Sequence, residues 1–352
     1  MPAAEIDILV RGAGPVGCVA ALALRQIQTV KLLGKESQNP ASRPAFRPLV
    51  LSYASRLILE RLGVWDALAT TPIETIRVSQ AGGFGRTVFE AADAGVPALG
   101  YVLEYAALLQ VLRTAVEDLL ITEETAARCV VHAEGASESL EKRYPQDALV
   151  ASVRFAPAAG TTAFERFTPE GPLALLPLAG QTAVVWSLRA EPAQALLAAS
   201  EREFLEALAD AAGSAAGRPL AVQSRSVQPL FLKVKQKTIG DRAVYIGNAA
   251  QMLHPVAGQG LNLGLRDAWE LAQIVREADD PGDRATLARF AARRRLDAGA
   301  AVRITDFLAQ AFLRSNLPFG LLSGVALTVL DIFPAPRRFF ARRMIFGPSA
   351  AP

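Results

Sequence analysis

The stretch that decides the fold is Ile6-Asp7-Ile8-Leu9-Val10-Arg11-Gly12-Ala13-Gly14-Pro15-Val16-Gly17-Cys18-Val19-Ala20-Ala21-Leu22-Ala23-Leu24. Ile6 to Val10 is a short apolar run, which predicts a buried strand. Cys18 to Leu24 reads as a helix, and Thr29 to Leu33 as a second strand. Between strand and helix lies Gly12-x-Gly14-x-x-Gly17. Strand, glycine turn, helix and strand open a dinucleotide-binding unit. In that reading Gly12 permits the tight turn, Gly14 lets the backbone approach a pyrophosphate, and Gly17 lets helix and strand pack closely. The helix N-terminus offers free N–H groups and a positive dipole to phosphates. The usual companion is an acid about 20 residues on, bonding ribose hydroxyls. Here that count falls on Gly34; Glu36, two residues later, is either a substitute or a solvated loop glutamate.

A second stretch carries as much chemistry. It runs Ile246-Gly247-Asn248-Ala249-Ala250-Gln251-Met252-Leu253-His254-Pro255-Val256-Ala257-Gly258-Gln259-Gly260-Leu261-Asn262-Leu263-Gly264-Leu265-Arg266-Asp267. It follows the apolar run Ala243 to Ile246 and enters a helix predicted over Leu261 to Ala278. Glycines near a helix start cost stability unless the backbone must approach something closely. The pattern describes an anion-accepting helix start beside a flat or phosphorylated ligand.

The middle of the chain reads differently. Ile76 to Phe89 and Leu149 to Leu188 hold short alternating segments broken by Gly and Pro, among them 163–167, 173–178 and 182–188. These predict antiparallel strands. Glu191 to Ala212 is helical in pattern, and Ala285 to Leu313 predicts one or two helices. The α/β pieces at both ends imply a discontinuous first domain with a β-rich second one inserted.

Composition narrows the classes. The 352 residues carry 37 basic and 34 acidic side chains, a net of +3, with 51% apolar residues, which is a globular make-up. Residues 285–352 hold ten Arg, no Lys, no Glu and three Asp, a net of +7, against −4 for the rest. A basic end on an acidic body points to an anionic surface as partner; no nucleic-acid reader motif accompanies it. Cys18 and Cys129 alone give no disulfide framework and fit a reducing compartment. Cys129-x-x-His132 lacks a second pair for a tetrahedral metal and reads as structural. The N-terminus has no signal-peptide pattern. No apolar run reaches the roughly 20 residues of a membrane span; Leu317 to Leu330 comes nearest. These features predict a cytoplasmic chain, in which 317–343 is either an ordinary core helix with a solvated basic end or a helix in peripheral contact with the inner face of the membrane.

The second stretch resembles the second flavin motif of the aromatic-ring hydroxylases that use FAD. Within them it is most similar to the ubiquinone-biosynthesis hydroxylases, in the branch acting on 2-polyprenyl-6-methoxyphenol. Phe46-Arg47 with Leu51, then Arg61-Leu62-Gly63-Val64-Trp65, resembles the family's flavin-contacting arginine and its following helix. Ala163-Phe164-Glu165-Arg166-Phe167-Thr168 with Gly171-Pro172-Leu173-Ala174-Leu175-Leu176-Pro177 resembles its substrate-domain strands. Thr305-Asp306 and Arg342-Arg343-Met344 resemble its C-terminal helices.

The resemblance implies an α/β fold: a Rossmann-like, glutathione-reductase-like FAD-binding domain (1–70, 101–140 and 240–300), an inserted β-rich substrate domain (71–100 and 141–239) and a C-terminal helical tail (301–352). It implies that Gly12, Gly14 and Gly17 hold the FAD pyrophosphate. Arg47 contacts the cofactor or is a surface charge. Asn248 stands where the family's aspartate bonds the ribityl chain, and an amide can still bond a hydroxyl. Pro255 and Gly258, Gln259, Gly260, Leu261 and Asn262 line the isoalloxazine ring. Pro255 and His254 are the catalytic candidates, His254 being either a proton-handling group or a packed helix-entry residue. The implied activity is hydroxylation of a polyprenylated phenol by O₂ through a flavin C4a-hydroperoxide, with NAD(P)H as electron donor. The ubiquinone-biosynthesis enzymes are the implied protein partners. The chain departs from the family at Asn248, at Gln251 where a histidine is usual, at Glu134 where an Asp is usual, and in a shortened 105–133 segment. Those departures carry an alternative: a non-catalytic homologue with impaired FAD binding, acting as scaffold or lipid-binding partner.

Overall fold

The computed structural model describes residues 6–34, 46–135, 140–253, 259–311 and 317–347, with the side chains of 140, 296 and 301–323 left aside. The chain begins with β1 (Ile6–Arg11), α1 (Pro15–Leu24), β2 (Val30–Leu33), β3 (Pro48–Ser52) and α2 (Tyr53–Arg61). It continues through β4 (Thr71–Ile73), β5 (Thr75–Gln80), β6 (Arg86–Glu90), α3 (Ala91–Ala94), β7 (Gly100–Glu104), α4 (Tyr105–Ala115), β8 (Leu120–Ile121) and β9 (Ala127–His132). Next come β10 (Leu140–Ala156), β11 (Thr162–Thr168), β12 (Gly171–Leu178), β13 (Gln181–Arg189), α5 (Ala190–Ala198), α6 (Glu201–Ala212) and β14 (Arg218–Val234). It ends with β15 (Ile239–Gly240), β16 (Ala243–Tyr245), β17 (Gln251–Met252), α7 (Gln259–Arg276), α8 (Arg284–Ala311), α9 (Leu317–Ile332) and α10 (Pro334–Phe346).

The first sheet runs β15-β16-β9-β1-β2-β8, and every pairing from β16 to β8 is parallel. Parallel strands covered on both faces need side chains apolar on both faces; Ile8, Leu9 and Val10 are all within 1% of complete burial. Helix α1 packs beneath this sheet against α7 and α4, and its residues Cys18 to Leu24 are buried throughout. The ligand crevice of such a sheet lies at the carboxyl ends of its strands, where β1 gives way to Gly12.

The second sheet has eight strands, ordered β17-β14-β10-β13-β12-β11-β5-β6. Its pairings are antiparallel except β5 with β11. One face is covered by α5 and α6, which bury Leu149, Leu173, Val184, Trp186, Phe204 and Leu208 in one core. A third sheet, β3-β7-β4, packs against the opposite face through Val50, Ile73 and Val102, which meet Ala163 and Leu176.

The helical run expected over 191–212 is two helices. Ser200 accepts the Glu203 N–H while the Glu203 carboxylate bonds back to Ser200, a capping box that restarts the helix there. The run from 285 is one helix, α8. The C-terminal segment does not stand free: Ala341, Ile345 and Phe346 of α10 pack on Phe89, Ala91 and Leu99. Arg337 grips Asp93 with two nitrogens, at 3.0 and 3.1 Å.

Candidate flavin site

The turn after β1 divides its glycines by job. Gly12 sits at φ +104°, in the region that favours glycine, and a Cβ there would lie 2.6 Å from the Glu134 main-chain nitrogen. A Cβ at Gly17 would lie 1.8 Å from the Gly12 carbonyl oxygen. Both positions are filled by the protein itself. Gly14 is the opposite case: among the described residues, nothing lies within 4 Å of a Cβ there. Gly14 is also the N-cap of α1, and no side chain caps that helix. An uncapped helix start beside open ground is where a phosphate can be received.

The missing acid at position 34 has a steric cause. A Cβ at Gly34 would fall 2.5 Å from the Ala13 Cβ, so the end of β2 lies against the glycine turn and has no room for a carboxylate side chain. Glu36 lies outside the described residues. At the end of β9, the Glu134 carboxylate meets His132 Nδ1 at 3.2 Å, and the His132 ring stacks on Tyr245 at 4.5 Å and 10°. Burial pushes the Cys129 thiol up to about 12, so it is an inert core residue. Among the described residues no three ligating side chains form a metal site.

The second motif docks on the first. Val16, in the first turn of α1, lies between Gly247 and Gly264: a Cβ at Gly264 would sit 2.6 Å from Val16 Cγ2 and 3.1 Å from the Gly247 Cα. Asn248 is exposed on the single turn Gly247–Ala249. The start of α7 carries Gln259, Gly260, Leu261 and Asn262. At Gly260, as at Gly14, no described residue lies within 4 Å of a Cβ. Gln259 Nε2 donates to the Met344 carbonyl oxygen at 3.3 Å, bringing α10 to this end of α7. Leu261 is half-buried against the first core.

Asn262 departs from the expected role. Its side chain is 2% exposed and ties α7 to β3 and α2. Its Oδ1 accepts from Ser52 N at 2.8 Å and from Ser55 Oγ at 2.7 Å, and its Nδ2 donates to the Val50 carbonyl at 2.8 Å. Arg47 is exposed, with its guanidinium 4.6 Å above the Tyr105 ring. His254, Pro255 and Gly258 lie outside the described residues.

Sequence reasoning assigned no role to Asp267, which holds the second motif in shape. It is 3% exposed. Its Oδ2 accepts the Gly247 N–H at 3.0 Å and Gln251 Nε2 at 2.8 Å, and its Oδ1 accepts Arg294 Nε at 2.6 Å. Arg294 and Arg266 converge on Asp297 at 2.6 and 3.0 Å. Burial drives the Asp297 carboxyl upward, but the two guanidiniums outweigh it and hold it below its usual range. The legible signal was an acid placed on the buried stripe of a predicted helix.

Two helix starts with open glycines, locked together at Val16, fit a dinucleotide cofactor laid from Gly14 towards Gly260. Residues 134–305 match the family model described as an FAD binding domain. The chain is 29% identical over 381 residues to the ubiquinone hydroxylase UbiL of Rhodospirillum rubrum, covering 96% of this chain and 88% of that protein. It is 28% identical over 321 residues to the 3-demethoxyubiquinol 3-hydroxylase of Escherichia coli, covering 79% and 81%. The crystal structure of PqsL from Pseudomonas aeruginosa superposes with a TM-score of 0.75 at 20% identity, over 90% of this chain and 99% of that one. Fold and glycine-rich starts together define an FAD-dependent monooxygenase, an oxidoreductase with a substrate domain inserted into its flavin domain. Over most of its length the chain is similar to FAD-dependent hydroxylases of ubiquinone biosynthesis.

Proposed function

We propose that this protein hydroxylates the ring of a polyprenylated phenol, a ubiquinone precursor, with O₂ and NAD(P)H as co-substrates. The observation that carries the reading is the pair of open glycines, Gly14 and Gly260, on helix starts joined through Val16. Gly12, Gly14 and Gly17 with the first turn of α1 would hold the pyrophosphate, and exposed Asn248 would bond the ribityl chain. Gly260, Leu261 and the N–H groups of α7 would face the isoalloxazine ring. Pro255, Gly258 and His254 belong to the same proposed site from the connecting segment. Bound FAD, once reduced, supplies the activation of O₂ for transfer of one oxygen atom to the ring. The chain's own part is to orient the ring, exclude water, and place the helix dipole against negative charge on the flavin.

The scaffold alternative loses its ground. The shortened 105–133 segment still carries α4, β8 and β9, and both strands pair into the first sheet.

A lipid surface is the proposed source of the prenyl tail. No helix among the described residues is long and apolar enough to cross a membrane. At the C-terminal end, however, Ile332, Phe333 and Phe339 are 63%, 54% and 67% exposed, with Arg338 and Arg342 exposed beside them. Apolar side chains flanked by arginine suit an anionic membrane interface. The test of the reading is turnover of 2-geranylphenol by the FAD-loaded protein under ¹⁸O₂. One labelled hydroxyl on the ring supports it; NAD(P)H oxidation to peroxide alone, with no labelled product, refutes it.

A further inference from the structure

The face of the eight-stranded sheet turned away from α5 and α6 has a row of side chains that the first two motifs do not explain. Val78, Glu165, Ala174, Val185 and Val150 are register partners on the adjacent strands β5, β11, β12, β13 and β10. All five are half-accessible, whereas Leu149, Leu173, Val184 and Trp186, on the face under α5 and α6, are buried. Four inter-strand steps of about 4.8 Å make this a trough of roughly 19 Å. Its side chains are apolar except for one carboxylate.

Glu165 is half-buried among these apolar side chains. Among the described residues it has no hydrogen-bond or ion-pair partner, and burial alone acts on its carboxyl, pushing it up to about 7. Arg77 and Arg166, on the same strands, alternate to the opposite face, where Arg166 bonds Ser79. On the next strand outward, Thr87 is the register partner of Val78, and its buried Oγ1 is also without a partner. Buried polar groups are normally satisfied, so the unpartnered Thr87 hydroxyl beside the unpartnered, half-buried Glu165 carboxylate marks this face as a place for a polar ligand group.

The trough is connected to both ends of the proposed reaction. Ala163, two residues from Glu165, packs with Val50, and the Val50 carbonyl accepts from Asn262 at the start of α7. Val78 packs against the cluster to which Ile345 and Phe346 of α10 belong, as do Tyr53 of α2 and Leu330 of α9.

We propose that Glu165 receives the phenolic hydroxyl of the substrate and takes its proton, so that the ring enters the reaction as the phenolate. The assignment rests on the hydroxylase reading above and names the residue that activates its substrate. The O–H bond of the phenol breaks, its electron pair stays on oxygen, and the proton forms the carboxylic acid of Glu165. That oxygen's charge enriches the ortho and para ring carbons, the ones that must attack an electrophilic oxygen. When the hydroxylated ring has lost its displaced hydrogen as a proton and become aromatic again, Glu165 returns its proton to the phenolate. The prenyl tail lies along the apolar trough.

The experiment compares FAD-loaded wild type, Glu165→Gln and Glu165→Asp with 2-geranylphenol. It measures flavin content, phenol binding from the flavin absorbance change, and product formation against pH. Wild-type turnover should rise with pH through one ionisation. Glu165→Gln should keep its flavin, lose that ionisation and fall about 100-fold, as expected for loss of a general base; Glu165→Asp should recover part of the rate with the pH dependence restored. A Glu165→Gln protein with wild-type rate and pH profile overturns the assignment while leaving the hydroxylase reading intact. A wild type that holds FAD but neither binds nor hydroxylates the phenol overturns both.

Discussion

The Gln251 side-chain amide donates at 2.8 Å to Asp267 Oδ2, the same oxygen that accepts the Gly247 main-chain N–H at 3.0 Å. One buried carboxylate thus fixes both ends of the turn that carries Asn248, and it does so while paired to Arg294 at 2.6 Å. The usual family histidine at position 251 is replaced by a side chain that still donates to this acid. Removing one partner of a buried ion pair costs about 3–5 kcal/mol. Asp267→Ala is therefore expected to lower the melting temperature strongly and to release the flavin. Asp267→Asn keeps the shape and an acceptor, so its loss should be smaller. Thermal melts with and without added FAD check both.

Gly14 and Gly17 are three residues apart and should fail in different ways. A methyl at Gly17 collides with the Gly12 carbonyl, so Gly17→Ala should destabilise the apo-protein. A methyl at Gly14 meets none of the described residues within 4 Å. Gly14→Ala should fold with an unchanged melting temperature in the absence of cofactor, yet bind FAD at least about tenfold more weakly, since one lost contact of about 1.4 kcal/mol is tenfold. Equal behaviour of the two variants would contradict the division of roles.

What the sequence made legible follows from local chemistry. The β1–glycine–α1 unit could be read because strand, turn and helix each have their own signal within twenty residues. The strands at 163–167, 173–178 and 182–188 were readable from alternation and their turn residues. Strand β14 was not: it carries Arg218, Gln223, Arg225 and Gln228 with two prolines, and only its pairing with β10, through three register shifts, makes it a strand. Asn262 read as a ligand contact because its neighbours are glycines; its amide serves the Ser52–Ser55 corner, over 200 residues away in sequence. Glu165 lay within a quoted segment, but no spacing rule tells an enclosed carboxylate from a surface one. Register across five strands does.

The exposed apolar corner of α9 and α10 gives a further expectation. Replacing Ile332, Phe333 and Phe339 by serine should leave the melting temperature within about 1 °C, since surface substitutions are near neutral. The triple variant should lose binding to vesicles containing phosphatidylglycerol, read by co-sedimentation. Wild-type binding should weaken when neutral phosphatidylcholine vesicles are used or salt is raised.

Stability should also report the enclosed carboxylate. The Glu165 carboxyl titrates at about 7 in the folded chain against 4.5 for an unperturbed glutamate. Between those values the folded state holds more protons than the unfolded one, so its stability falls as pH rises through this window and stays at the lower level above it. Glu165→Gln removes that penalty. It should melt at the same temperature as wild type near pH 4.5 and at a higher one near pH 8, measured by calorimetry.

The proposed function requires that the two glycine-rich helix starts hold FAD despite the shortened 105–133 segment. The most direct measurement is the visible absorption spectrum of the protein purified in air, before and after incubation with FAD and removal of the excess. A flavin spectrum with equimolar FAD retained by the folded protein, and lost in Asp267→Ala, is the expected result. A folded protein that carries no flavin and takes up none would contradict it.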